Sequence, residues 1–331
     1  MFSKSKFIQL IALVSFAIFA SAAQADTTWR MAAAYAPSSS HTEVDEWLAE
    51  QIEEATDGDL EIRVYPNGSL VKHPDIVKAV STGQVQMGDM LASILSNENP
   101  VFGLDSIPFL ATSHEQALEL WEAQRPQVEQ YLEDRGIILL YTSPWPAQGL
   151  YTNKEINHVS DMEGLKMRTY NKMGQRTAEL LEATPTQVEV PELPQAFSTG
   201  MVNAMFASPA TGRNTQAWDY AEYFYDVKAW IPKNLVIMNK EAFDELPDAQ
   251  QDAVMEAADR ARERSWSIVQ DILERDVREL KEQGMTIVEP SDEIMQEFRE
   301  VGEELTRQWK EEAGEQGIEA LNAYHEMQED Q

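Results

Sequence analysis

Short apolar runs rich in β-branched residues alternate with stretches of helical period along this chain, most regularly between Asp161 and Gly212. Residues 164–169 read as a strand, 172–183 as a helix with Asn171 at its N-cap, and 186–190 as a second strand. Pro191 and Pro194 open a short helix that Gly200 stops, and 201–206 is a third strand. Strands that alternate with helices imply a parallel sheet, and ligands of such sheets bind beyond the carboxyl ends of the strands. Arg168 and the Ser208-Pro209 turn both fall there.

The first half repeats this pattern, with strands expected near 28–33, 60–65 and 85–90 and helices near 42–55 and up to Val80. Ser81-Thr82-Gly83-Gln84-Val85 and Ser198-Thr199-Gly200-Met201-Val202 each set a helix-ending glycine just before a strand, a short echo that suggests two related lobes. From Pro247 to Gln283 no internal glycine or proline interrupts the helical period. One helix of roughly 55 Å would fit, at ~1.5 Å per residue. Its apolar positions run Val254, Ala258, Ala261, Ile268, Ile272 and then Leu273, Val277, Leu280, as if the buried face turned midway from one lobe to the other. Two helices with an irregular join is the competing reading. The segment from Ser291 onward is acidic and helical and carries no readable chemistry.

The ends and the composition set the address. Residues 1–25 read as a signal peptide: Lys4 and Lys6 precede an apolar run from Phe7 to Ala20, and Ala23-Gln24-Ala25 is a small-x-small cleavage site. That run is too short to span a bilayer comfortably, so export to the periplasm is expected, without membrane insertion. The chain has no cysteine, which excludes a disulfide-stapled module. Without the signal it carries 24 basic against 57 acidic residues, a formal charge of −33, a poor match for nucleic acid or anionic membrane. The acids are spread along the whole chain, which reads as a salt-adapted, well-hydrated surface.

Catalytic signatures are sparse. The five histidines are scattered, so no metal site or other cofactor is expected, and no Walker A loop, G-x-G-x-x-G or G-x-S-x-G occurs. The chain is therefore not expected to be an enzyme; an exported enzyme on a two-lobed scaffold is the minor alternative. Arg168 at a strand end could clamp a carboxylate with its planar fork, or could be one more exposed arginine paired with an acid. Aromatic residues gather near it in sequence, with Trp145, Tyr151 and Tyr170, then Trp218, Tyr220, Tyr223, Phe224, Tyr225 and Trp230. Most belong to packing, and one or two could wall a ligand site.

Several segments together resemble the periplasmic solute-binding subunits of tripartite ATP-independent periplasmic (TRAP) transporters, the dicarboxylate-binding-protein-like (DctP) family. They are Val64-Tyr65-Pro66-Asn67-Gly68-Ser69-Leu70, Val85-Gln86-Met87-Gly88, Phe102-Gly103-Leu104-Asp105-Ser106-Ile107-Pro108-Phe109-Leu110, Asp161-Met162-Glu163-Gly164-Leu165-Lys166-Met167-Arg168, 197–205 and Trp230-Ile231-Pro232-Lys233-Asn234. The resemblance implies an α/β fold of two lobes, each a mostly parallel sheet flanked by helices, with a long helix spanning both. The lobes are expected over 26–145 with 234–273 and over 146–233 with 274–331, and the ligand between them. It also implies delivery to small and large membrane permease subunits driven by a sodium gradient. In the family the arginine after Gly-Leu-Lys holds the ligand carboxylate, here Arg168. Ser208 stands where an asparagine is frequent, and Gln148 where some acid-sugar binders use a second arginine. A single arginine with Gln148 and Ser208 suits a monocarboxylate, a hydroxy or keto acid, or a zwitterion. The alternative is a small amine received by Trp145, Trp218 or a tyrosine such as Tyr170, beside Asp89 or Glu189. A partner of a membrane sensor or an ATP-driven importer would share the fold.

Overall fold

The computed structural model describes residues 27–329. The signal segment expected over 1–25 lies outside the described residues, and among those described no helix is long and apolar enough to cross a membrane.

Among the described residues, eleven strands form two sheets. They are β1 (Thr27–Ala33), β2 (Leu60–Tyr65), β3 (Met87–Leu91), β4 (Ile137–Pro144), β5 (Gly149–Thr152), β6 (Lys166–Thr169), β7 (Thr184–Gln187), β8 (Ala204–Ala207), β9 (Tyr223–Tyr225), β10 (Lys233–Asn239) and β11 (Thr286–Val288). The helices are α1 (Ser40–Ala55), α2 (Ile76–Ser81), α3 (His114–Glu133), α4 (Lys172–Leu180), α5 (Leu193–Ser198), α6 (Pro209–Asn214), α7 (Lys240–Asp244), α8 (Asp248–Glu282), α9 (Asp292–Glu312) and α10 (Gly314–Glu329).

The first sheet has the order β2-β1-β3-β10-β4 and the second β11-β9-β5-β8-β6-β7. In each, three parallel strands linked by helices (β1, β2, β3 and β6, β7, β8) are flanked by a strand that runs antiparallel to them, β10 or β5. The lobes are thus built on one plan, as the Gly83 and Gly200 echo suggests. Both glycines are left-handed, at φ 68° and 69°, and each ends a short helix two residues before a buried valine. The sheets are mixed rather than wholly parallel because two strand-to-strand connections cross between the lobes, from β4 to β5 and from β9 to β10.

The long helix is unbroken. α8 packs on α1 and β4 at one end and on α6 and β11 at the other. Its buried stripe is continuous through Val254, Ala258, Ala261, Ser265, Val269, Ile272, Asp276 and Leu280, so the expected midway turn of the apolar face does not occur. Ser265 and Asp276 occupy inward positions that a reading by apolar residues alone passes over. Asp276 is buried against Arg275 at 2.8 Å and Arg213 of α6 at 3.6 Å, and Arg213 also meets Glu279 at 2.9 Å. These pairs fasten the end of α8 to the helix that follows β8. The C-terminal helices cross as well: Phe298 of α9 packs in the core of the second lobe, Trp309 donates to the Pro100 carbonyl at 3.0 Å, and α10 lies on α3.

Two motif segments meet in a buried polar knot. Lys233, 1 % exposed, donates through Nζ to Asp105 Oδ2 at 3.1 Å and Gln124 Oε1 at 2.9 Å. The Lys233 backbone N–H also reaches Asp105 Oδ2 at 3.1 Å. Burial of both charges is offset by these bonds, and the β9–β10 crossing is tied to the 100–106 helical turn.

Candidate functional site

A cleft lies between the lobes, walled by residues of both. The parallel strands β1, β3, β6 and β7 each send a residue into it from their carboxyl ends: Tyr35, Leu91, Arg168 with Tyr170, and Glu189. His73, Ile94, Trp145, Gln148, Val190, Thr211 and Pro232 complete the wall.

Arg168 pairs in register with Thr186 of β7 and Met205 of β8, which fixes its backbone in the middle of the sheet. The side chain is buried, Nε donates to the Val188 carbonyl at 2.9 Å, and the guanidinium lies 4.6 Å from the centre of the Tyr170 ring. Among the described residues its terminal nitrogens have no hydrogen-bond acceptor and no ion pair. Burial lowers its pKa, opposed first by Tyr170 and then by Glu189. A planar cation fixed at Nε, with its far edge turned to an open space, is built to receive a carboxylate end-on.

The Tyr170 hydroxyl accepts from Trp230 Nε1 at 2.9 Å, and burial pushes its pKa up to about 12, so it keeps its proton as a donor. Tyr35 is pushed up by burial and then by Asp89 and Glu189. Gln148 is held by its backbone to Trp230 and Ala229, and Nε2 donates to the Pro146 carbonyl at 3.1 Å. Trp145 stands edge-on to Tyr35 at 4.8 Å and stacked on His41 at 4.0 Å. Burial pushes His41 down to about 3, so it packs as a neutral ring.

Of the residues expected from sequence, Arg168, Gln148, Trp145 and Tyr170 meet on this wall, and Asp89, Ser208 and Trp218 do not. Asp89 lies behind Trp145: Trp145 Nε1 donates to Asn234 Oδ1 at 2.8 Å, and Asn234 Nδ2 to Asp89 Oδ1 at 2.8 Å. Burial raises Asp45 well above the ordinary carboxyl value, and the neighbouring Asp89 raises it further. Burial pushes Asp89 itself up to about 7. Ser208 is fully buried and turned into its own helix, where Oγ caps the Thr211 N–H at 3.1 Å, leaving Thr211 to face the cleft. Trp218 packs in the hydrophobic cluster of the second lobe with Phe224 and Leu280. Tyr35 and His73 were not singled out as ligand residues; Tyr35 is legible by the strand-end rule applied to β1, whereas His73 reaches the cleft from a helical turn.

Side chains from both lobes also touch beside the cleft. Asn171 caps α4 with Oδ1 and gives Nδ2 to Ser93 at 2.8 Å and Ser106 at 3.1 Å. His73 meets Glu189 at 3.5 Å. One grouping of potential metal ligands exists among the described residues, His158 with Glu293 and Glu297, but it is surface-exposed and Glu297 already accepts from the Val159 N–H at 2.6 Å.

Two lobes of one topology that wall a cleft between them have the architecture of a receptor for a small solute. The model of the bacterial extracellular solute-binding protein family 7, DctP, matches residues 32–312, and the chain belongs to this family of TRAP extracytoplasmic receptors. It is 40% identical to the Bordetella pertussis extracytoplasmic solute receptor DctP7, which binds pyroglutamic acid, over 90% of this chain and 99% of that one, with a TM-score of 0.89. A marine metagenome TRAP solute-binding protein specific for pyroglutamate is 34% identical over 91% of this chain and 99% of its own, with a TM-score of 0.88. Among curated relatives, the ectoine-binding periplasmic protein TeaA of Halomonas elongata is 22% identical over 80% of this chain and 79% of TeaA.

Proposed function

We propose that this receptor binds a small monocarboxylate, with pyroglutamate as the leading candidate, and delivers it to a sodium-driven TRAP permease of small and large membrane subunits. The observation that carries the reading is Arg168: a buried guanidinium whose free edge faces a cleft and which makes no ion pair among the described residues, Glu189 acting on it only from farther off. With one such cation, a single carboxylate is neutralised and a second is not. The aromatic and aliphatic wall of Tyr35, Ile94, Trp145, Val190 and Pro232 suits a compact ring better than a sugar acid with a hydroxyl at every carbon. The receptors that bind pyroglutamate, at 40% and 34% identity, support the same choice. Of the two acids that the amine reading invokes, Asp89 is bonded to Asn234 behind Trp145, whereas Glu189 lines the cleft, where it lies 3.5 Å from His73 and under the charge of Arg168.

Isothermal titration of protein freed of co-purified solute tests this. Pyroglutamate should give saturable heat with a Kd between about 1 μM and 1 nM, equivalent to about −8 to −12 kcal/mol. Galacturonate and simple amines should give none. Saturable heat from amines alone would sink the monocarboxylate reading.

A further inference from the structure

A cleft that takes an anion through Arg168 has no need of a carboxylate on its own wall, yet it has one. Glu189 lines the cavity one residue past Val188, the residue that holds Arg168 Nε. It belongs to the second lobe, and its Oε2 lies 3.5 Å from Nδ1 of His73, on the first. His73 Nε2 accepts the Leu91 N–H at 3.0 Å, and a lone pair there puts the ring proton on Nδ1, aimed at Glu189. The Nδ1–H of His73 and the nearby charge of Arg168 hold Glu189 below the ordinary carboxyl range, against its burial. The wall therefore presents a fixed anion beside a fixed cation.

Such a pair discriminates by chemistry. A second ligand carboxylate, or a ring oxygen with only lone pairs to offer, would face Glu189 with repulsion. An N–H on the atom next to the carboxyl-bearing carbon would satisfy it.

We propose that Glu189 is the specificity-determining residue of the cleft, accepting a hydrogen bond from a ligand N–H adjacent to the carboxylate that Arg168 holds and excluding dicarboxylates. The proposal deepens the monocarboxylate reading above and rests on it. Because His73 and Glu189 come from opposite lobes, the acceptor is aligned only where the lobes meet, so the ligand's N–H is tested as the cleft closes.

Titration calorimetry with three ligands on wild type and on Glu189→Gln decides it: pyroglutamate, the lactone acid in which oxygen replaces the ring N–H, and glutarate. Wild type should prefer pyroglutamate over the lactone acid by about 100-fold or more, as sites built around one buried hydrogen bond do, and should reject glutarate. Glu189→Gln, whose amide both donates and accepts, should narrow the preference to within about 10-fold and admit glutarate. Equal wild-type affinity for pyroglutamate and the lactone acid, or an unchanged ratio in Glu189→Gln, overturns the role of Glu189 and leaves the monocarboxylate reading intact. A wild type that binds none of the three acids overturns both. The wild-type ratio stands on its own even if the variant misfolds.

Discussion

Replacing Arg168 by methionine keeps a long flexible stem and removes only the guanidinium, and the structure lets the two consequences be sized separately. Without ligand, the change deletes the bond from Nε to the Val188 carbonyl and the stacking on Tyr170. Those contacts are worth about 1.5–3 and 0.5–2 kcal/mol respectively. Against them stands the burial of a charge that no acid of the described residues pairs, a penalty of several kcal/mol. The two sides nearly cancel, so the unliganded variant should unfold within about 2 kcal/mol of wild type. Binding has no such compensation: two charge-assisted bonds to the carboxylate vanish, about 3–6 kcal/mol in all, or a factor of about 10² to 10⁴ in Kd. Calorimetry reads the affinity directly and denaturation with and without solute reads it again, since wild type at 100 Kd of ligand gains about 2.7 kcal/mol and the variant should gain almost nothing at that concentration. Affinity retained to within about 10-fold would remove Arg168 from the site. A large loss of unliganded stability would make it a structural residue instead.

The buried Asp45–Asp89 pair should leave a signature in pH. Asp89 is raised to about 7 from a usual value of 3.8, so the folded state holds a proton that the unfolded chain releases. Its contribution is fully present below about pH 4 and is lost as pH rises through about 7, an effect on the order of 4 kcal/mol. Urea midpoints should fall between pH 5 and pH 8 in wild type and fall less in Asp89→Asn; identical slopes would remove Asp89 as the source. Lys233→Met should cost about 3–5 kcal/mol by leaving Asp105 as an unpaired buried charge, and adding Asp105→Asn should recover most of the loss. A single variant that costs under about 1 kcal/mol would show that the knot contributes little.

Much of this was legible because local chemistry and global fold agree. Asn171 announces α4 and does cap it, and the strand-end rule found Arg168 without knowing which strands pair. The same rule, applied to β1, points to Tyr35, and its reach ends at His73, whose partners Leu91 and Glu189 lie far away in sequence. β7 spans Thr184–Gln187 rather than 186–190, because a β-branched run does not say where pairing stops; past Gln187 the chain turns and the Val188 carbonyl faces Arg168. Ser208 follows β8 and Asp89 lies in the middle of β3, yet backbone position does not fix where a short polar side chain aims. One turns back to cap α6 and the other is drawn to Asn234. The inward Ser265 and Asp276 disguise one straight stripe on α8 as two, since Arg213, the partner of Asp276 on α6, is far away in sequence.

The chain passes between the lobes at four places: from β4 to β5, from β9 to β10, along α8 and along α9. A hinge of one flexible linker would leave a lobe free to twist, tilt and slide, whereas four parallel tethers, two of them stiff rods, cancel most of these freedoms. What survives is close to rotation about a single axis. Opening and closing about such an axis would form one coordinate, and a solute that fills the cleft would need to bias only that coordinate.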